Sequence, residues 1–289
     1  MNQYVGRFAP SPTGELHAGS LACALASFLD ARAHNGIWLI RIENIDPLRE
    51  KPGAIEHQLE LLERLEMHSD RPIFYQSERL DAYQKTLKKL VQQKLVYGCS
   101  CSRKSIKEQQ QLLGLPSNVY PGTCRNRTDN RAIRAWRFKV KNETISFQDR
   151  ICGYFEQNLE KEVGDFVLKR ADGFWAYQLA VVCDDAFQGV NHIVRGQDLL
   201  DNTPRQIALQ QSLGFSTPSY MHIPLVLGED GNKLSKQNNA KPINPTEIEQ
   251  ALLSAWNHLG FNSFPCDDLT QFYQRATLLW KEKYGLQII

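Results

Sequence analysis

No stretch of this chain approaches the roughly 18 consecutive apolar residues of a membrane helix, and its opening, MNQYVGRF, lacks the basic segment and apolar run of a secretory leader. A membrane-spanning helix is thereby excluded, and a soluble, cytoplasmic chain is the expectation. An excess of charge of one sign is missing too. Lys and Arg number 34 against 32 Asp and Glu, a net charge of +2, so any contact with nucleic acid must be local rather than spread over the surface. Histidine is absent between His68 and His192, and no two of the seven cysteines stand in the usual Cys-x2-Cys metal spacing. An odd number of cysteines spread over 289 residues also excludes a secreted disulfide framework and suits a reducing compartment. There is no internal repeat, and no low-complexity tract beyond Gln109-Gln110-Gln111.

What is present is an alternation of strand and helix patterns. A chain of this length buries a sizeable core and holds about two domains, or one with an insertion. Residues 21–33 (LACALASFLDARA) are apolar on most sides, as a helix packed on a sheet is, and Ile37 to Ile42 (IWLIRI) reads as a parallel strand buried on both faces. Helices are predicted over 53–65 and 79–95, with a short strand at 73–75 between them. After residue 163 the pattern resumes with a strand over 165–170 and a turn at Asp172-Gly173. A second apolar run follows at 177–183, then a short strand at 192–196, a helix opened by Thr203-Pro204, and a buried strand over 223–227. Helices are expected from Pro245 to about Leu259 and over 269–281, as a small helical end. The alternation predicts an α/β, Rossmann-like, doubly wound parallel sheet. Its halves are placed at 1–98 and 165–240, with an insertion at 99–164 and a C-terminal helical region at 241–289.

Two short motifs carry the chemistry. In YVGRFAPSPTGELHAGS, residues 4–20, a strand passes through a tight loop into a helix start at His17-Ala18-Gly19-Ser20. Unpaired amides at such a junction suit phosphate, small residues allow close approach, and His17 adds a donor. Late in the chain, Lys233-Leu234-Ser235-Lys236-Gln237 follows a glycine turn and could close over the same phosphates. An ordinary helix cap and a solvated basic loop are the plain alternatives for each motif alone. Together, HAGS and KLSKQ resemble the two signatures of the class I aminoacyl-tRNA synthetases, and FAPSPTGELHAGS resembles the glutamyl branch. Ser20 and Gln237 depart from the family pattern, as does Asn44, where that branch has an aspartate.

The resemblance implies ATP-dependent activation of L-glutamate, with magnesium on the phosphates. His17, Gly19, Ser20, Lys233, Ser235 and Lys236 would bind ATP, and His17, Gly19 and Lys236 would serve catalysis. It further implies that Arg7, Phe8, Ala9, Pro10, Ser11, Glu43, Tyr177 and Arg195 contact the amino acid. Residue chemistry agrees. Glutamate needs an acid for its ammonium and planar guanidinium groups for its carboxylates, and Arg7, Glu43 and Arg195 each end a predicted strand. Only about fifty residues follow KLSKQ, so the anticodon-binding region of discriminating family members is expected to be missing. That organisation implies transfer of glutamate to queuosine in the anticodon of tRNA(Asp). A shortened conventional enzyme charging the tRNA 3′ end, another nucleotidyl transferase, and an inactive zinc-stapled RNA-binding module are the competing readings.

The insertion has features of its own. Cys99, Cys101 and Cys124 lie in a turn-rich stretch with little apolar material, which one zinc ion would staple. The resemblance supplies Tyr120 as the fourth ligand, with Cys152 as a competing donor and inert thiols as the alternative to a metal. From Cys99 to Lys141 there are ten cations against two anions, a basic patch suited to RNA phosphate. Trp136 and Phe138 beside it fit a strand core better than a stacking surface.

Overall fold

The structure, a computed structural model, describes residues 3–226, 242–244 and 246–285. Three parallel strands form its first half: β1 (Val5–Phe8), β2 (Ile37–Ile42) and β3 (Phe74–Tyr75), in the order β1-β2-β3 with Val5 opposite Ile37 and Arg41 opposite Phe74. In the second half β9 (His192–Gly196) pairs in parallel with β10 (Ser219–Ile223), Ser219 opposite His192. Asn191 joins the halves: its amide donates to Val5 O at 3.0 Å and its side chain accepts from Val5 N at 2.8 Å. From β1 the chain winds outward to β2, and from β9 it winds the other way to β10. The crevice at the carboxyl ends of β1 and β9 is therefore a topological switch point, where open α/β sheets hold ligands.

Helix α1 (Ala18–Ala33) fills the layer above the sheet, and α2 (Ala54–Arg64) and α3 (Leu80–Gln92) follow at the predicted places. Alanines 22, 24, 26, 31 and 33 of α1 are all buried, and their small side chains let neighbours approach closely. Those neighbours include α8 (Ile248–His258) and α9 (Leu269–Tyr284), whose Trp256, Phe272 and Trp280 are buried in one core with Trp38 and Leu25. The C-terminal helices are thus part of the main core rather than a separate end. Asp30 of α1 binds them in: it accepts from Trp280 Nε1 at 2.9 Å, from Tyr4 OH at 2.5 Å and from both terminal nitrogens of Arg150.

Two elements differ from the sequence expectation, and the apolar run at 177–183, unassigned there, takes a definite form. The run 177–183 is helical, in α6 (Tyr177–Gln188), closed by Gly189 in the left-handed region at φ +71°. It is apolar on most sides because it is packed on most sides. The strand expected over 223–227 lies earlier, as β10, and ends at Ile223 because Pro224 has no amide to continue the ladder. The insertion is interleaved with the catalytic sheet. Hairpin β6 (Thr144–Asp149) and β7 (Gly153–Asn158) joins the main sheet through Tyr220 opposite Asp149. Strand β8 (Val167–Lys169) instead completes an antiparallel sheet with β4 (Val96–Cys99) and β5 (Ala135–Phe138). Phe138 is buried and Trp136 half-buried on β5, in keeping with a core role.

Candidate active site and cysteine cluster

The switch-point crevice opens into a cleft of 760 Å³. Every sequence-predicted residue for amino acid or nucleotide that the structure describes lines it. Arg7 and Phe8 come from β1, Ala9, Pro10 and Ser11 from the loop beyond, Glu43 from the end of β2, Tyr177 from the first turn of α6 and Arg195 from β9. His17, Gly19 and Ser20 form the wall at the start of α1. The loops after β1 and β2 are tied together by Glu43 N donating to Pro10 O at 2.9 Å.

The floor is a buried ionic cluster. Arg7 Nε donates to Asp185 Oδ1 at 3.2 Å, and Arg41 Nη1 reaches the same oxygen at 2.7 Å. Arg41 Nη2 donates to Glu43 Oε1 at 3.3 Å. Burial raises the Asp185 carboxyl, but Arg41 and Arg7 outweigh it and hold the group below its ordinary value. Burial wins at Glu43, whose pKa is raised despite Arg41 and Arg7. A substrate ammonium beside Glu43 would therefore stabilise the carboxylate there. Among the described residues the terminal nitrogens of Arg7 donate to no protein group, which leaves its planar fork for a carboxylate.

Arg195 is committed differently, with all five of its N–H groups matched to acceptors. Nε donates to His222 Nε2 at 3.0 Å, Nη1 to Tyr177 OH at 3.3 Å and Gln206 Oε1 at 2.8 Å, and Nη2 to Leu199 O at 3.4 Å and Thr203 Oγ1 at 2.8 Å.

His17 caps α1. Its Nδ1 accepts from the amides of Gly19 at 3.1 Å and Ser20 at 3.3 Å, while Ser20 Oγ accepts from His17 N at 2.7 Å. The sequence reading left those amides for phosphate; here the imidazole engages them, so Nδ1 carries no proton and the ring's donor is Nε2. Ser20, which departs from the family pattern, is the reciprocal half of this cap. Asn44, a second of the three departures, bonds Ser77 twice, through Nδ2 at 2.8 Å and Oδ1 at 3.0 Å. Lys233, Ser235, Lys236 and Gln237 lie outside the described residues. On the described flanks, Val226 lines the cleft and Pro242 bridges to His17, with Ile243 N donating to Leu16 O at 3.1 Å.

Arg41, Asp185, Asp149 and His222 escaped the sequence reading. The available signal was a charged or imidazole side chain inside an apolar run: Arg41 in IWLIRI, Asp185 after LAVVCD, His222 in SYMHI.

Away from the cleft, Cys99, Cys101 and Cys124 bring their sulfurs within 4.8 Å of one another. Tyr120 OH lies 3.3 Å from Cys99 Sγ and 3.6 Å from Cys101 Sγ, and Cys101 Sγ lies 3.4 Å from Cys124 Sγ. Ligands around a tetrahedral zinc at bond lengths of 2.0–2.3 Å stand roughly 3.5–3.8 Å apart; the three separations above lie close to that range, so the three cysteines could hold a metal ion, with Tyr120 OH beside them. Gly164 keeps Tyr120 in place: its φ is +70°, and a Cβ there would meet Tyr120 O at 2.4 Å. Burial and the thiol contacts push the Tyr120 phenol up, so it would ionise only beside a metal. Cys152 is not a competitor, because it sits at the β6–β7 turn with Sγ 3.5 Å from His222 O.

Folding counters part of the charge of the basic stretch. Arg125 pairs with Glu160 at 3.0 Å, Arg131 with Asp129 at 2.7 Å and Lys141 with Glu143 at 3.6 Å, while Arg137 lies 3.6 Å over the Tyr120 ring. Arg103, Lys107, Arg134 and Lys139 have no ion pair among the described residues.

Residues 3–251 match the family described as tRNA synthetases class I (E and Q), catalytic domain. The chain is 47% identical over 293 residues to the glutamyl-Q tRNA(Asp) synthetase of Janthinobacterium sp. (strain Marseille), covering 98% of this chain and 99% of that one. It is 49% identical over 290 residues to the enzyme of the same name from Burkholderia cenocepacia (strain HI2424), covering 98% and 97%. Among solved structures it resembles a glutamate tRNA ligase from Elizabethkingia meningosepticum in complex with its amino acid, with a TM-score of 0.72 and 27% identity. That likeness covers 84% of this chain but only 54% of the ligase, so this chain spans about half the ligase's length. The family match and these relatives, each alike over nearly its whole length, show that the chain belongs to the glutamyl-Q tRNA(Asp) synthetase family of class I tRNA synthetases.

Proposed function

We propose that this chain activates L-glutamate with ATP, without needing tRNA, and transfers it to queuosine in the anticodon of tRNA(Asp). The observation that carries the reading is the cleft itself, where the uncommitted fork of Arg7 and the buried Glu43 stand beside the His17 cap. Relatives that match this chain over nearly their whole length bear the corresponding name. Glutamate lies against Arg7, Phe8, Ala9, Pro10, Ser11, Glu43, Tyr177 and Arg195, with its ammonium on Glu43 and its carboxylates on the guanidinium groups. An α-carboxylate oxygen attacks the α-phosphorus of ATP in line, the bond to the bridging oxygen breaks and pyrophosphate leaves. A hydroxyl of the queuosine diol then attacks the glutamyl carbonyl, loses its proton, and AMP leaves. The protein's part is positioning and charge neutralisation.

His17 through Nε2, Gly19 and Ser20 hold the nucleotide, together with Lys233, Ser235 and Lys236, and magnesium accompanies the phosphates. Both described flanks of the segment bearing those lysines adjoin the cleft. Cys99, Cys101, Tyr120 and Cys124 take one structural zinc, which would staple the cysteine-bearing part of residues 99–164, the insertion between the catalytic halves 1–98 and 165–240 that precedes the helices of 241–289. A cytoplasmic site of action suits a tRNA substrate. The test is ATP–pyrophosphate exchange with purified protein. Exchange that depends on glutamate in the absence of tRNA is expected; none, or exchange only when tRNA is added, would overturn the reading.

A further inference from the structure

Behind Arg195, on the side away from the cleft, lies a relay of buried polar groups. Asp149, at the end of β6, accepts from His222 Nδ1 at 2.6 Å through Oδ2. Its Oδ1 accepts the amides of Ile151 at 2.9 Å, Cys152 at 2.8 Å and His222 at 3.2 Å. The carboxylate is thus fixed by backbone, and it fixes the imidazole tautomer: Nδ1 carries the proton and Nε2 is left to accept from Arg195 Nε. His222 is fully buried, and burial lowers its pKa, which keeps it in this neutral form.

The five bonds of Arg195 divide by side. Those to His222, Gln206 and Thr203 measure 3.0, 2.8 and 2.8 Å, and none of the three residues lines the cleft. The two longest, 3.3 Å to Tyr177 OH and 3.4 Å to Leu199 O, run to residues that do line it. An arriving carboxylate can replace the long pair while the short three hold the guanidinium plane.

We propose that His222 and Asp149 are positioning residues that aim Arg195 at a substrate carboxylate, so that strand β6 from the insertion takes part in amino-acid recognition. The inference rests on reading the cleft as the glutamate site. Losing one hydrogen bond to a charged group costs about tenfold or more in affinity, and the loss should fall on glutamate rather than on ATP.

The test is exchange kinetics with three variants, each checked for folding by thermal melting. His222→Phe removes the acceptor and should raise the glutamate KM at least about tenfold, with the ATP KM unchanged within about twofold. His222→Gln places an oxygen near the Nε2 position and should stay within about threefold of wild type. Asp149→Asn keeps the acceptor for the three amides but offers N–H to Nδ1. The imidazole proton is thereby forced onto Nε2 to face the Arg195 donor, so this variant should resemble His222→Phe, and it gives the result if that variant does not fold. An unchanged glutamate KM, a parallel rise in both KM values, or equal damage from His222→Gln would overturn the positioning role alone. Absence of glutamate-dependent exchange in the wild-type protein would instead overturn the function reading, and this inference with it.

Discussion

Arg7 gives one N–H to Asp185 and keeps its fork for the cleft, whereas Arg195 enters binding with every donor engaged. Arg7→Lys should therefore be severe: a lysine keeps the charge but not the two parallel donors, and the glutamate KM should rise about thirtyfold or more in exchange assays with the ATP KM unchanged. A rise below about threefold would show that charge alone suffices. Lys236→Ala should lower the turnover of exchange about a hundredfold, the scale of losing a donor to transition-state charge; unchanged turnover would remove that lysine from the mechanism. Arg7, Glu43 and Arg195 were legible in the sequence because each sits where a strand ends, and strand ends in such sheets face the ligand. Arg41, Asp185, Asp149 and His222 were not. What makes them matter is the partner each meets across the fold, over separations such as the 144 positions between Arg41 and Asp185, and no local pattern encodes that.

At the scale of elements, α1 is held on one side by the sheet and on the other by α8 and α9, through the cluster centred on Asp30. Burial raises the Asp30 carboxyl, but the bidentate bond and charge of Arg150, with Tyr4 and Trp280, hold it below its ordinary value. A depressed pKa means stabilisation that is fully present above the unfolded value near 3.9 and is lost as pH falls through the lower folded value. The fall in urea midpoint between pH 5 and pH 3 should accordingly be smaller in Asp30→Asn than in wild type; equal falls would assign the acid sensitivity elsewhere. On the proposed function the cysteine cluster is a second such device, which with zinc bound would close a region with little core. Freshly purified protein should hold close to one zinc per chain by metal analysis, and Cys124→Ser should lose it and loosen the insertion toward proteolysis. Full zinc retention in that variant, or none in wild type, would contradict the assignment. The main helices were legible from periodicity, with α1 and α7 (Thr203–Leu213) starting within a turn of the predicted residue. Helix α6 was not, because an element packed on most sides has no polar face from which to read its period.

For the whole molecule, the doubly wound plan followed from alternation, but the interleaving of insertion and sheet did not. That β6 adds to β10 while β8 leaves for β5 is decided by long-range pairing. Folding also redistributes charge. The basic stretch meets Glu143, Glu160 and Asp165 from outside its own sequence window, which counters part of its charge, while Arg103, Lys107, Arg134 and Lys139 keep no ion pair among the described residues of a protein of net charge +2. A chain with so local a positive surface suits a short, exposed target such as an anticodon loop, where a base is splayed out rather than stacked in a duplex. The most direct measurement of the central claim is transfer of labelled glutamate to tRNA from queuosine-making and queuosine-deficient cells in parallel. The account predicts label on tRNA(Asp) from the first source and none from the second; equal labelling of both, or labelling confined to tRNA(Glu), would contradict it.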